Sequence, residues 1–136
     1  MPRFRSRIDG FNRAKRVWVC NQCQAPFTVE KPSSCTCCGA RGDFTYLASK
    51  AEFKRYQELR ALEAMGEIEL ISCHPRYPID IKGYKIRVEL DFAYKTKDGE
   101  LVVEDVKNAG SNTQLSRLKR ALVEERYGIK VTLVDS

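Results

Sequence analysis

The chain has 136 residues and a formal net charge of +6 at pH 7, from 24 lysine and arginine residues and 18 aspartate and glutamate residues. This length suits one ordinary domain with a hydrophobic core and one small appended module. No run approaches the roughly 18 apolar residues of a membrane span, and no apolar block follows the basic N-terminal residues as in a secretory signal. We therefore expect a cytoplasmic protein with no membrane segment.

The excess positive charge lies at the N-terminus. Residues 1–16 hold six basic side chains and one aspartate, whereas residues 17–136 hold 18 basic and 17 acidic residues. A basic arm over residues 1–15 that includes Phe4 and Phe11 is typical of a segment that neutralises phosphates and releases counterions. A solvated tail has the same composition, so that alternative stays open. The candidate DNA contacts near this end are Arg3, Arg5, Arg7, Arg13, Lys15 and Arg16.

Two C-x-x-C pairs, separated by eleven residues, predict a small β zinc ribbon over residues 16–47. The expected ligands are Cys20, Cys23, Cys35 and Cys38. A two-residue gap lets one turn direct both sulfurs at one ion, and four thiolates leave no open position, so the Zn²⁺ is expected to be structural. Cys37 lies inside the second pair, and the spacing leaves open whether Cys35 or Cys37 is the ligand.

The remaining residues, 48–136, show the periodicities of an α/β domain. A capping box at residues 49–52 begins a helix that Gly66 ends. Glu52 closes this box, yet it also shares a helix face with Tyr56, an odd place for a carboxylate without a partner. The further predicted elements are strands at 67–72, 85–94 and 101–107, a helix from 113 to 128, and a strand at 129–134.

The third strand ends in an acid and a lysine on the same face. Side chains alternate along a strand, so Asp105 and Lys107 point to one side and Glu104 to the other. A hairpin from the preceding strand brings Asp91 close to Asp105. Two carboxylates and a lysine at a strand end can hold Mg²⁺, and the Val106 carbonyl is free to join them. An ordinary ion pair on a solvated strand has the same pattern.

These residues resemble a known family. Asp91 with the Asp105-Val106-Lys107 tripeptide resembles the D…(D/E)-x-K signature of the PD-(D/E)XK nuclease superfamily, whose core has the same helix, three-strand, helix, strand order. The segments that resemble, more closely, small phage and prophage endonuclease-like proteins are 49–70, 74–78, 91–107 and 118–131. The resemblance implies a restriction-endonuclease-like core with a central mixed β-sheet flanked by helices.

The resemblance also implies a function. It points to a metal-dependent DNA endonuclease that cleaves branched or nicked DNA in phage recombination, replication or packaging, as Holliday-junction-resolving nucleases do, in the bacterial host cytoplasm. The implied catalytic residues are Glu52, Asp91, Asp105 and Lys107. The implied ligands of Mg²⁺ or Mn²⁺ are Glu52, Asp91, Asp105 and the carbonyl of Val106.

Several alternatives stay open. Arg117, Lys119 and Arg120 on the last helix are candidate phosphate contacts, although a solvated helix face fits equally. His74 is expected to be a turn or supporting residue. A non-catalytic zinc-ribbon adaptor that binds nucleic acid, an RNA-directed nuclease and a homodimer are each compatible with the sequence.

Overall fold

A computed structural model describes residues 16–28, 30–107 and 110–135 of the chain. Contacts divide the chain into two compact units, residues 1–54 and residues 55–136. The basic arm predicted over residues 1–15 lies outside the described residues. No helix in the described ranges is long and apolar enough to cross a membrane.

The first unit contains a three-stranded antiparallel sheet in the order β2-β1-β3. Its strands are β1 (Val17–Cys20), β2 (Pro26–Phe27) and β3 (Phe44–Leu47). Val17 and Val19 of β1 and Leu47 of β3 are almost fully buried and form an aliphatic face. The predicted ribbon therefore has the expected β structure.

The helix α1 (Lys50–Ala64) begins in the first unit and continues into the second. Its N-terminus follows the predicted cap, because the Glu52 amide donates to Ser49 Oγ at 3.1 Å. The Gly66 backbone has a φ of 79°, which favours glycine where the chain leaves the helix.

The second unit contains a four-stranded mixed sheet in the order β4-β7-β8-β9 and a separate two-stranded hairpin. The sheet strands are β4 (Ile68–Cys73), β7 (Phe92–Thr96), β8 (Leu101–Lys107) and β9 (Val131–Asp135), and the hairpin strands are β5 (Arg76–Ile81) and β6 (Tyr84–Glu89). Strand β8 is antiparallel to β7 and parallel to β9, and helix α2 (Gln114–Tyr127) connects β8 to β9. The protein is thus a mixed α/β structure, as predicted.

The prediction of one strand over residues 85–94 is wrong. The chain forms β6 up to Glu89 and a new strand from Phe92, and these strands belong to different sheets. Leu90 and Asp91 make the transition, with the Leu90 amide donating to the Pro75 carbonyl at 3.0 Å. The apolar alternation survives the break because Val88, Leu90 and Phe92 are all buried. Five strands, rather than three, therefore lie between the two helices.

Helix α2 has the predicted ends and packs over the sheet. Thr113 accepts a hydrogen bond from the Ser116 amide at 3.1 Å, and Gly128 ends the helix with a φ of 65°. Val123 of the helix packs with Ala93 and Val103 of the sheet in a buried apolar cluster. Strand β8, which carries the predicted acidic residues, is therefore a central strand covered by α2.

Candidate functional site

The four predicted zinc ligands lie together. The sulfur atoms of Cys20, Cys23, Cys35 and Cys38 all lie within 4.8 Å of one another. The Sγ atoms of Cys20 and Cys38 are 3.7 Å apart, and those of Cys23 and Cys35 are 3.5 Å apart. Tetrahedral zinc with bonds of about 2.3 Å separates its thiolates by about 3.8 Å. The cluster therefore has the dimensions of a four-thiolate metal site, and these cysteines could hold a metal such as zinc.

The two turns that carry the cysteines have matching hydrogen bonds. The Gln24 amide donates to the Cys20 carbonyl and the Gly39 amide to the Cys35 carbonyl, each at 2.8 Å. Gln24 and Gly39 both have positive φ angles, 67° and 78°. Repetition of this turn orients Cys35 as it orients Cys20. Cys35 thus lies in the cluster, while Cys37 is exposed and outside it.

The local backbone favours thiolate formation at Cys35. Burial opposes ionisation of this side chain, but hydrogen bonds from the Cys38 and Cys37 backbones outweigh it and lower the pKa of Cys35 to about 6. All six cysteines are free thiols. Despite a backbone hydrogen bond from Ala25, burial and hydrogen bonds to the other thiols raise the pKa of Cys23 to about 12, and the pKa of Cys38 is raised as well. A metal ligand must be deprotonated, so a metal that binds all four sulfurs has to displace these protons.

In the second unit, Asp105 is a buried carboxylate held by two cations. Only 5% of the residue is exposed. Arg120 Nη1 lies 3.0 Å from its Oδ2 atom, and Lys107 Nζ lies 3.5 Å from its Oδ1 atom. The structure therefore brings Asp105 and Lys107 together on one face of β8.

Asp91 lies at the start of the neighbouring strand. Its Oδ2 atom accepts a hydrogen bond from the Val106 amide at 2.6 Å, which fixes the carboxylate against β8. Because Phe92 pairs with Glu104, Asp91 lies across from Asp105. Asp105 nevertheless belongs to no group of three metal-ligating side chains with ligand atoms within 4.8 Å, among the residues that the structure describes.

His74, predicted as a turn or supporting residue, lies beside Asp91. Its amide donates to the Asp91 carbonyl at 2.9 Å, and a ring nitrogen lies within 4.8 Å of an Asp91 carboxylate oxygen. Its φ of 56° is in the left-handed region, uncommon for residues other than glycine. The only signal in the sequence was that His74 is the single histidine of the chain.

Glu52 lies in the first turn of α1, in the first unit. Its carboxylate accepts a hydrogen bond from the Ala48 amide at 3.0 Å. The reciprocal bond of the predicted capping box is therefore displaced by one residue, from the amide of the N-cap Ser49 to the amide of Ala48 before it.

A polar cleft of about 250 Å³ opens beside Asp105 in the second unit. Its charged lining residues are Glu89, Asp105, Lys107, Lys119 and Arg120, and its hydroxyl groups come from Ser111, Thr113 and Ser116. Three cations against two anions give this cleft an excess of positive charge. Two larger cavities, of about 430 and 380 Å³, lie between the β5–β6 hairpin and α2 and contain none of the predicted site residues.

The three basic residues predicted on α2 differ in their surroundings. Arg120 is largely engaged within the protein: besides Asp105 it donates to Ser116 Oγ at 2.8 Å and to Asn112 Oδ1 at 2.6 Å. Lys119 lines the cleft, whereas Arg117 is exposed and does not line it. Arg16, near the other end of the chain, is exposed.

On the opposite face of β8, Glu104 is 1% exposed and takes part in a buried network. Arg55 donates to its two oxygens at 2.8 and 2.6 Å, and the Tyr94 hydroxyl donates to one of them at 2.6 Å. Burial and the hydrogen bond to Glu104 raise the pKa of Tyr94 to about 12. The hydrogen bond to Glu104 likewise raises the pKa of Arg55. This network ties α1 to the centre of the sheet.

Comparison with known proteins gives one result. A family model, described as a protein of unknown function (DUF1064), matches residues 42–135. No curated protein and no solved structure matches the chain. The matched segment includes Asp91, Asp105 and Lys107 but begins after the last cysteine of the cysteine cluster. The chain therefore belongs to the DUF1064 family, with the cysteine cluster outside the matched segment.

Proposed function

We propose that this protein is a metal-dependent DNA endonuclease that hydrolyses phosphodiester bonds, and that its second unit is a PD-(D/E)XK-type core. The observation that carries the proposal is the arrangement on β8: Asp105 and Lys107 lie 3.5 Å apart on one face, with Asp91 fixed across from Asp105 by the Val106 amide. A solvated ion pair would not require a carboxylate this buried, nor a polar cleft beside it.

The donor chemistry suits Mg²⁺ or Mn²⁺. Asp91 and Asp105 supply the oxygen ligands that these hard cations prefer, and we assign the Val106 carbonyl to the same set. His74 is a further candidate because its ring nitrogen lies close to Asp91. When bound, the metal would polarise the phosphodiester and lower the pKa of a coordinated water.

The other side chains have roles that follow from their contacts. Lys107 is proposed to orient or deprotonate the attacking water and to offset the negative charge of the transition state. Arg120 donates to Asp105 Oδ2 at 3.0 Å. We therefore propose that Arg120 positions Asp105, rather than contacting DNA as the sequence suggested. Lys119, at the cleft, is the better candidate for a substrate phosphate, and Arg117 is assigned to more distant backbone contacts.

The first unit is proposed to add affinity for DNA. A zinc ribbon with a closed four-thiolate site has no open metal position for catalysis, so its role is structural and its surface is free for binding. The preferred substrates are branched or nicked DNA, by the resemblance described above.

The test is cleavage of linear, nicked and four-way-junction DNA with and without added Mg²⁺, with no chelator present so that zinc is retained. We expect Mg²⁺-dependent cleavage that is lost in Asp105→Asn, because a neutral amide replaces an anionic ligand. Lys95→Gln, at an exposed position on the neighbouring strand, is the control and should retain activity. An RNA substrate and a reaction with Mn²⁺ are run in parallel. Cleavage of the RNA alone, or no cleavage of any DNA substrate with either Mg²⁺ or Mn²⁺, would contradict the proposal.

One observation favours a second candidate, a zinc-ribbon adaptor that binds nucleic acid without cutting it. Both oxygens of Asp105 already contact cations, which is an arrangement that needs no metal. In that case DNA binding would persist while every substrate stayed intact, and Asp105→Asn would lower stability without a change in DNA affinity.

A further inference from the structure

One face of the ribbon sheet carries four aromatic rings. Trp18 pairs with Phe27 on one side and with Tyr46 on the other, and directly paired residues of antiparallel strands point to the same face. Phe44 lies two residues before Tyr46 and so joins the same face. We call Trp18, Phe27, Phe44 and Tyr46 the aromatic face.

The opposite face already provides the buried core of this sheet. Val17, Val19 and Leu47 are at most 2% exposed. A small antiparallel sheet with one buried face is expected to carry polar residues on the other. All four rings of the aromatic face are instead partly exposed. Core formation therefore accounts for the aliphatic face and leaves the composition of the aromatic face unexplained.

The rings form two contacting pairs with a cation above one of them. Trp18 and Tyr46 have centroids 4.8 Å apart, and Phe27 and Phe44 form an edge contact at 5.9 Å. Lys31 Nζ lies 5.4 Å from the centre of the Trp18 ring. The result is a row of partly accessible π surfaces with an exposed ammonium group above one of them.

The cations around these strands outnumber the acids. Arg16, Lys31 and Arg41 are exposed, against Glu30 and Asp43, which are also exposed. Aromatic side chains beside positive charge are the combination that binds single-stranded nucleic acids, because every base has a face that can stack and every nucleotide carries a phosphate.

We infer that the aromatic face binds single-stranded DNA by stacking unpaired bases, with Lys31 and neighbouring basic residues contacting the phosphates. The inference deepens the proposed function and rests on it for the choice of DNA as the partner. It would direct the enzyme to DNA that exposes unpaired bases at branches, flaps or gaps, and away from intact duplex.

Trp18 makes the test direct, since it is the only tryptophan of the chain. The full-length, zinc-loaded protein is titrated, without Mg²⁺, with an oligothymidylate of about ten nucleotides, within the range of known stacking sites. We expect saturable quenching of the tryptophan fluorescence by the oligothymidylate and at least tenfold weaker quenching by a duplex of equal length. Absence of quenching, equal quenching by duplex, or quenching only by oligouridylate would overturn the inference.

Variants separate stacking from general charge. Tyr46→Leu and Phe27→Leu should each weaken oligothymidylate binding about fivefold or more, by anisotropy of a labelled oligonucleotide, since a stacked base contributes at least that factor. Tyr84→Leu, at a tyrosine that is 78% exposed on the hairpin of the second unit, is the matched control and should change binding less than twofold. Equal losses in Tyr84→Leu and Tyr46→Leu would contradict a specific face.

Zinc content and far-UV circular dichroism show whether each variant is folded. If Tyr46→Leu loses zinc, the variant Lys31→Ala is used instead of Tyr46→Leu, because removal of this exposed side chain leaves no cavity. An unchanged affinity of Lys31→Ala for the oligonucleotide would then count against the inference. Lys95→Gln, at an exposed position of β7, should bind the oligonucleotide as well as the unmodified protein. Quenching in a protein that cuts nothing would leave the inference standing while the nuclease proposal fails.

Discussion

At the scale of single residues, the central feature is a buried carboxylate with two cations. Asp105 sits between Arg120 and Lys107, and the cleft beside it adds Lys119. An anion that approaches this cleft meets more positive than negative charge. A buried carboxylate with two cations can take part in catalysis, or it can contribute only to the stability of the fold. Substitutions that measure cleavage and unfolding separately distinguish these two roles.

We predict that Lys107→Ala lowers DNA cleavage by roughly 10²-fold or more while DNA binding stays nearly intact, because a positioned proton-transfer or charge-stabilising group is lost. Gel-shift titration and single-turnover cleavage measure the two effects separately. Lys95→Ala, on the neighbouring strand and exposed, is the control. Full cleavage activity in Lys107→Ala would mean that the Asp105–Lys107 contact is only an ion pair.

A second prediction concerns Glu104, on the other face of β8. Glu104→Gln removes the charge that pairs with Arg55 in a buried network, and the free energy of unfolding should fall by about 3 kcal/mol. Urea unfolding with zinc present measures this change.

The matched control is Glu58→Gln, because Glu58 also contacts Arg55 but its side chain is 48% exposed. This substitution should cost less than about 1 kcal/mol. A Glu104→Gln variant as stable as Glu58→Gln would mean that solvent reaches the network, contrary to its burial.

At the scale of elements, we expect the ribbon to depend on a metal held by its cysteine cluster. The two turns that carry the cysteines are short, and the sheet between them has one buried face of three aliphatic residues. So small a core rarely suffices without a disulfide or a metal. All six cysteines are free thiols, so we expect a metal at the cysteine cluster to supply this stabilisation.

We predict about one zinc per chain, bound by the two C-x-x-C pairs. Cys38→Ser should lose the zinc and the order of the ribbon, whereas Cys37→Ser should keep both, because Cys37 is exposed and outside the cluster. Elemental analysis and limited proteolysis of the ribbon provide the measurements. Equal loss of zinc from both variants, or a disulfide between the two pairs, would show that the ligand assignment is wrong.

At the scale of the whole molecule, the proposed binding of DNA depends on net charge. Deletion of residues 2–7 removes three arginines, and this should weaken DNA binding and reduce the log–log salt slope by up to about three, through lost counterion release. The charge-matched control replaces Lys82, Lys95 and Lys130, all exposed in the second unit, with glutamine. A smaller effect of the deletion than of the control would mean that the arm is a solvated tail.

The sequence by itself determined the features that depend on neighbouring residues. The C-x-x-C spacing identified both cysteine pairs because each pair shares one turn, and the caps at Ser49, Thr113 and Gly128 located the helix ends. Alternation located most strands, and it placed Asp105 and Lys107 on one face because side-chain direction has a period of two.

Only the tertiary structure decided which distant residues meet. Arg55 and Glu104 are 49 positions apart, and nothing in the local pattern of either residue identifies the other as its partner. The same holds for the clamp of Arg120 on Asp105 and for His74 beside Asp91. The division of residues 85–94 between two sheets also depended on long-range pairing. One continuous strand and two consecutive strands can both have alternating apolar residues that are buried, so the alternation does not distinguish them. Local periodicity indicates which side of a helix or strand is apolar. The residues that contact that side depend on the packing of the whole chain.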